Sequence, residues 1–197
     1  MHTGKVFGIG LSRTGTRTLA AALNLLGIHT KWYPSDQTTF LELVSGKFEL
    51  TVLQEYDAVT DTPVVPYYPE FDRIYPGSKF ILTVREKESW LRSCKKHWAS
   101  FGFSGAEPAQ APFWRQFACF IDCCVYGCHG FNADRFSFVY DSHVHNVQRF
   151  FEDRPQALLV MNICDGQGWD VLCPFLDCPV PKAPFPHMET FKSPLLG

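Results

Sequence analysis

The feature that most constrains this chain lies in its first 26 residues, where a short apolar run at 5–10 (Lys5-Val6-Phe7-Gly8-Ile9-Gly10) breaks into a glycine-containing loop. Residues 16–26 then carry Leu19, Ala22, Leu23 and Leu26 at helical spacing. Strand, tight loop and helix in that order are the opening unit of an α/β layer fold, and the rest of the chain continues the alternation.

Gly27 is a good helix stop, and the β-branched and aromatic stretch 28–32 reads as a second strand. Residues 40–44 read as part of a helix, 56–61 as a brief strand ended by Pro63, and 79–84 as a clearer strand after Pro76-Gly77. Helices are expected over 87–98, 113–126 and 133–153, a last strand over 157–162, and a short helix over 168–176 before a proline-rich tail at 179–197. The expected architecture is one α/β domain over 1–197, with a mostly parallel central sheet flanked by helices. In such sheets ligands gather beyond the carboxyl ends of the strands, so functional side chains should fall just after Gly10, Val59 and Val84. Residues 100–112, rich in Gly, Ala and Pro, are the one obvious insertion and a candidate lid.

A chain of 197 residues that is 46% hydrophobic can build a substantial single core, and a formal charge of −2 supplies no global field to draw in nucleic acid or an anionic membrane. Any anion site must therefore be local. No signal-peptide pattern opens the sequence, and no apolar run approaches the roughly 20 residues of a membrane span. The eight cysteines then fit a reducing, cytoplasmic setting as thiols. A homodimer is left open.

Gly10-Leu11-Ser12-Arg13-Thr14-Gly15-Thr16-Arg17-Thr18 has the glycine spacing of a P-loop. Its backbone N–H groups, with the positive end of the following helix, suit an anion. A nucleoside-triphosphate loop continues with Lys and then Ser or Thr, the hydroxyl binding magnesium, whereas Thr16 and Arg17 stand here. Instead a cation, Arg13, lies inside the loop, followed by hydroxyls at Thr14, Thr16 and Thr18.

This loop resembles the 5′-phosphosulfate loop of sulfotransferases, often Lys-Ser-Gly-Thr-Thr, with Arg13 in the lysine place, Thr14 in the serine place and Gly15-Thr16 matching outright. That family also carries an arginine at the end of a later strand and a serine eight residues on. Here Phe80-Ile81-Leu82-Thr83-Val84 leads into Arg85, with Ser93 at that spacing. Leu158-Leu159-Val160-Met161-Asn162, Gly168-Trp169 and Leu172-Cys173-Pro174-Phe175-Leu176 look like the late strand and short helix of the same fold. Pro184-Phe185-Pro186-His187 is similar to the tail of a short sulfotransferase-like subgroup. The resemblance implies a P-loop-like fold and a donor, 3′-phosphoadenosine 5′-phosphosulfate (PAPS), leaving adenosine 3′,5′-bisphosphate, with no metal. It implies that Ser12, Arg13, Thr14, Gly15, Thr16, Arg17 and Thr18 hold the phosphosulfate end and that Arg85 and Ser93 hold the 3′-phosphate. The acceptor would be a hydroxyl or amine of a small molecule or carbohydrate.

In the same family a catalytic histidine often stands two residues before a proline. Thr60-Asp61-Thr62-Pro63 puts Asp61 there, so Asp61 is the first candidate for the base and Arg13 for the cation that stabilises the leaving phosphate. An aspartate before proline is also a common turn cap. His97, one helical turn beyond Ser93, and His143 are reserve bases, with solvent exposure or core packing as the plainer reading of each. Cys119, Cys123, Cys124 and Cys128 recur at helical spacing, which suits small buried thiols of one amphipathic helix better than zinc. The aromatic group Phe101, Phe103, Phe113, Trp114, Phe117 and Phe120 reads as core. Two alternatives stand beside the sulfotransferase: a P-loop kinase or nucleotide hydrolase, and a nucleotide-binding module of the same fold without turnover.

Overall fold

Helices cover both faces of a central sheet, so its inner strands have no solvent side and read as continuous apolar runs. A computed structural model of the chain describes residues 4–99 and 111–188. In order, the elements are β1 (Val6–Gly8), α1 (Thr16–Leu25), β2 (Thr30–Trp32), α2 (Gln37–Val44), α3 (Val52–Glu55), β3 (Ala58–Thr60), α4 (Tyr68–Ile74), β4 (Lys79–Thr83), α5 (Lys87–Ala99), α6 (Ala111–Ile121), α7 (Ala133–Phe150), β5 (Leu158–Met161) and α8 (Trp169–Leu176). The five strands form one sheet in the order β2-β3-β1-β4-β5. Every pairing is parallel, with Phe7 opposite Val59 on one side and Phe80 on the other.

Alternation along the strands sorts side chains to two faces. Phe7, Val59, Phe80 and Leu82 point to one layer, where Phe71 and Phe151 meet them. Phe7 stacks on Phe71 at a centroid distance of 4.7 Å. Val6, Ala58, Ile81 and Met161 point to the other, against Leu19 and Leu23 of α1 and Trp169, Leu172 and Leu176 of α8. A third cluster, built on Trp90, Phe117, Tyr126 and Phe136, reaches Leu11 in the loop after β1.

The expected strands and long helices are all present. Two short helices, α3 and α4, were not expected, and α7 stops at Phe150 rather than at 153. The helix expected over 113–126 is α-helical only to Ile121, then winds as a π-turn over Asp122–Tyr126. The Asp122 carboxylate explains the change: it accepts from Gly130 N at 3.0 Å and Trp98 Nε1 at 3.4 Å, tying the turn to the next loop and to α5. Cys119, Cys123 and Cys124 are exposed rather than core, and only Cys128 of that set is partly buried. Among the described residues no three His, Cys, Asp or Glu gather as a cation site. No helix among them is long and apolar enough to cross a membrane. Phe113, Trp114, Phe117 and Phe120 do pack into the core. Phe101, Phe103 and most of the expected lid lie outside the described residues, as does the tail beyond Met188.

Candidate active site

β1 is the central strand, and the loop that leaves it runs between the ends of β3 and β4. Gly10 is required there, because a Cβ would collide with Thr83 Oγ1, the Thr83 carbonyl and Thr14 Oγ1. Gly15, at φ +99°, closes the loop and caps α1 with no side-chain hydrogen bond, which leaves the positive end of that helix suited to an anion. By contrast, the N-terminus of α5 is filled by the Glu86 carboxylate, which accepts from Glu88 N and Ser89 N.

Four carbonyls in and just before the loop have outside donors or partners within the turn. His143 Nε2 donates to Ile9 O at 2.7 Å, Trp90 Nε1 to Ser12 O at 2.9 Å, Arg85 Nη1 to Arg13 O at 3.2 Å and Thr14 Oγ1 to Leu11 O at 2.6 Å. The negative ends of these four carbonyls are thereby committed, Thr14 N is spent on Leu11 O, and the start of α1 adds its positive end. This is the electrostatic form of an anion nest.

The hydroxyls expected to bind phosphosulfate serve the shape of the loop. Thr14 spends its one proton on Leu11 O, so Thr83 Oγ1 is the donor in their 2.6 Å contact. Ser12 Oγ donates to Asp61 Oδ1 at 2.6 Å and Thr16 Oγ1 to Asp61 Oδ2 at 2.5 Å. Asp61 also accepts from Thr62 N at 2.7 Å and Trp32 Nε1 at 3.0 Å. Thr18 Oγ1 accepts from Met188 N, which brings the tail back onto α1. Arg17 lies over the Trp32 ring at 5.4 Å.

Two arginines face each other across the loop. Arg13, held at φ +75°, points its Nε at Ser93 Oγ, 3.1 Å away. A non-glycine residue in that region costs roughly 1–3 kcal/mol and persists only where its surroundings over-determine it. Arg85 reaches Arg13 O with Nη1 and Ser89 Oγ with Nε and Nη2, at 3.0 and 2.8 Å. Ser89, Ser93 and His97 follow one another at i+4 along α5 and share its loop-facing side. The sequence reading paired Arg85 with Ser93; the structure brings Ser93 to Arg13 and gives Arg85 to Ser89, which it had missed.

Tyr140 of α7 was missed as well. Its hydroxyl accepts from Arg85 N at 3.1 Å and donates to Arg85 O at 2.5 Å, fixing the backbone on which the guanidinium is mounted. Tyr140→Phe leaves two partly buried backbone groups without their partner and is expected to lower stability by about 1–2 kcal/mol in a denaturant melt.

The two histidines separate clearly. His143 sits beneath the loop as a donor to Ile9 O, and burial pulls its pKa down against that bond. His97 lies on α5 one turn beyond Ser93, half-buried, where burial and then the Arg13 cation pull its pKa from 6.5 to about 4, with Asp61 opposing. Both rings bind protons more readily once the chain unfolds. Stability is therefore complete above about pH 6.5 and falls as pH drops toward 4. Melting temperatures followed from neutral pH down to about 4 should decline across that window, and His97→Asn should flatten the decline.

A loop that follows the central strand of a parallel sheet, with four of its carbonyls already hydrogen-bonded and two arginines beside it, suits an anion. A family model described as "Sulfotransferase domain" matches residues 5–193. The "Ava biosynthesis cluster protein M" of Aspergillus versicolor is 30% identical over 216 residues, covering 94% of this chain and 81% of that protein. The fold matches a crystal structure of a sulfotransferase from Alicyclobacillus acidocaldarius with a TM-score of 0.55 at 14% identity, over 98% of this chain and 87% of that one. The chain belongs to the sulfotransferase family, and the kinase alternative is not favoured.

Proposed function

We propose that this protein transfers the sulfuryl group of PAPS to a hydroxyl or amine of a small-molecule or carbohydrate acceptor. The observation that carries the reading is the two-arginine frame around an outward-turned loop. Arg13 with the uncapped start of α1 suits one anionic end, and Arg85 suits a second, which a donor phosphorylated at both 5′ and 3′ positions needs. Bound PAPS supplies an activated sulfur whose bond to phosphate breaks as the acceptor attacks.

The chain's own part is electrostatic. The N–H groups of Gly15, Thr16 and Arg17 orient the 5′-phosphate, and Arg13 stabilises the negative charge that collects on the leaving phosphate oxygen. A guanidinium stays protonated at neutral pH, so Arg13 acts through charge and hydrogen bonds alone. Arg85, with Ser93 and Ser89 within reach, takes the 3′-phosphate through forked bonds.

Adenosine 3′,5′-bisphosphate at about a hundred times its Kd should add roughly 2.7 kcal/mol and raise the melting temperature by roughly 5–10 °C, whereas ATP with magnesium should not. A shift with ATP alone would favour a nucleotide hydrolase. Full bisphosphate affinity without radiolabelled sulfate transfer to any of a broad acceptor panel would favour the module without turnover.

A further inference from the structure

The inward face of α7 runs through Phe136, Tyr140, His143, Val147 and, just past its end, Phe151, at spacings of three and four. Its two ends are ordinary core. Phe136 packs on Trp90 and Tyr126, and Phe151 on Phe80 of β4 at a centroid distance of 4.8 Å. Between them stand a tyrosine and a histidine, where two apolar side chains would pack without bringing polar atoms that must be desolvated.

Both polar groups go to backbone at the carboxyl ends of adjacent strands. Tyr140 Oη accepts from Arg85 N at 3.1 Å and donates to Arg85 O at 2.5 Å, two residues past the end of β4. His143 Nε2 donates to Ile9 O at 2.7 Å, one residue past the end of β1. These strands pair in parallel, Gly8 opposite Ile81, and Ile9 N still bonds Ile81 O at 2.9 Å. With two side chains α7 carries on, beyond the strand ends, the tie that the ladder makes below.

What departs from those two points is the pair of cations. Arg85 is itself the clamped residue, and Ile9 leads through Gly10 into the loop that carries Arg13. Arg85 Nη1 meets Arg13 O at 3.2 Å, so the spacing of the cations follows from where the two backbones are held. Trp90 packs on Tyr140 at 4.8 Å and bonds Ser12 O through Nε1, which brings α5 into the same brace. A tyrosine that only filled space would not need both the N–H and the carbonyl of one residue.

We propose, resting on the PAPS reading above, that Tyr140 and His143 are positioning residues. They match the distance between Arg85 and the Arg13 loop to that between the 3′- and 5′-groups of the donor. Tyr140 aims Arg85, and His143 holds the start of the loop, so the two differ in which ligands they affect.

The test measures binding of two ligands by titration calorimetry: adenosine 3′,5′-bisphosphate, and adenosine 5′-phosphosulfate, which lacks the 3′-phosphate. Tyr140→Phe should weaken the bisphosphate by roughly five- to thirtyfold and leave the phosphosulfate within about threefold of wild type. Added to Arg85→Ala, Tyr140→Phe should cost less than about twofold more, because the group it positions is already gone. His143→Leu should weaken both ligands by one factor, about fivefold or more. His143→Gln, whose amide can still donate to Ile9 O, should regain most of that loss.

Equal losses on both ligands in Tyr140→Phe, or a loss that persists in full beside Arg85→Ala, would make Tyr140 merely structural and overturn the proposal. Wild-type bisphosphate affinity in Tyr140→Phe would overturn it too, as would a His143→Gln protein no better than His143→Leu. If one of Tyr140→Phe and His143→Leu does not fold, the contrast in the other decides. If neither folds, these bonds hold the fold rather than the site, and the proposal falls. Wild type that binds neither ligand overturns the PAPS reading beneath it, a failure visible before any variant is made.

Discussion

Arg13→Ala is expected to slow sulfuryl transfer by about a thousandfold. An arginine placed on the charge that develops in a loose phosphoryl-type transition state contributes about 10³–10⁵ in rate, and a single oxyanion donor about 10²–10³. Arg13 is the cation inside the loop, so its loss should reach the overlap of those ranges. The backbone makes a clean control available. Arg13 lies at φ +75°, where glycine is unstrained. Arg13→Gly should therefore melt no lower than wild type while transferring sulfate no faster than Arg13→Ala. Arg13→Lys keeps the charge but loses the Nε bond to Ser93 Oγ, and an intermediate rate is expected. Single-turnover transfer and thermal melts on the three variants check this, and an Arg13→Gly protein with near wild-type turnover would remove Arg13 from the chemistry.

The parts of this molecule legible in the sequence are those encoded locally. The strand, glycine loop and helix that open the chain, and the run from Lys79 into Arg85, are contiguous, and each switches between periods of 2 and 3.6 within a few residues. The α3 and α4 helices were missed because they are short and because α4 opens with Tyr68-Pro69 amid aromatics that read equally as loop. The π-turn depends on Asp122 meeting Trp98 and Gly130, contacts that no window along one helix contains.

The site divides in the same way. Arg13 and Arg85 announce themselves as cations at strand ends, but what each one touches is a tertiary fact. Asp61 looked like a base because its place before a proline was visible, whereas its donors come from residues 12, 16, 32 and 62. His143 is spent on a carbonyl 134 positions away. The i+4 series Ser89, Ser93 and His97 was readable in principle, since the loop-facing side of α5 follows once Ser93 is placed there.

Arg85→Ala is expected to weaken adenosine 3′,5′-bisphosphate by about 2–4 kcal/mol, roughly 30- to 1,000-fold in Kd, because forked charge-assisted hydrogen bonds to a phosphate are lost together. The same guanidinium also donates Nη1 to Arg13 O, so it both offers a phosphate site and braces the loop. Two ligands separate these roles. If Arg85 binds the 3′-phosphate, adenosine 5′-phosphosulfate, which lacks that group, should bind the variant within about threefold of wild type. Arg85→Lys should recover part of the bisphosphate affinity through charge alone. An equal loss on both ligands would mean that Arg85 acts only by holding Arg13 in place. The loop would then carry all of the recognition, and the specificity for a doubly phosphorylated donor would have to come from elsewhere along β4 and α5.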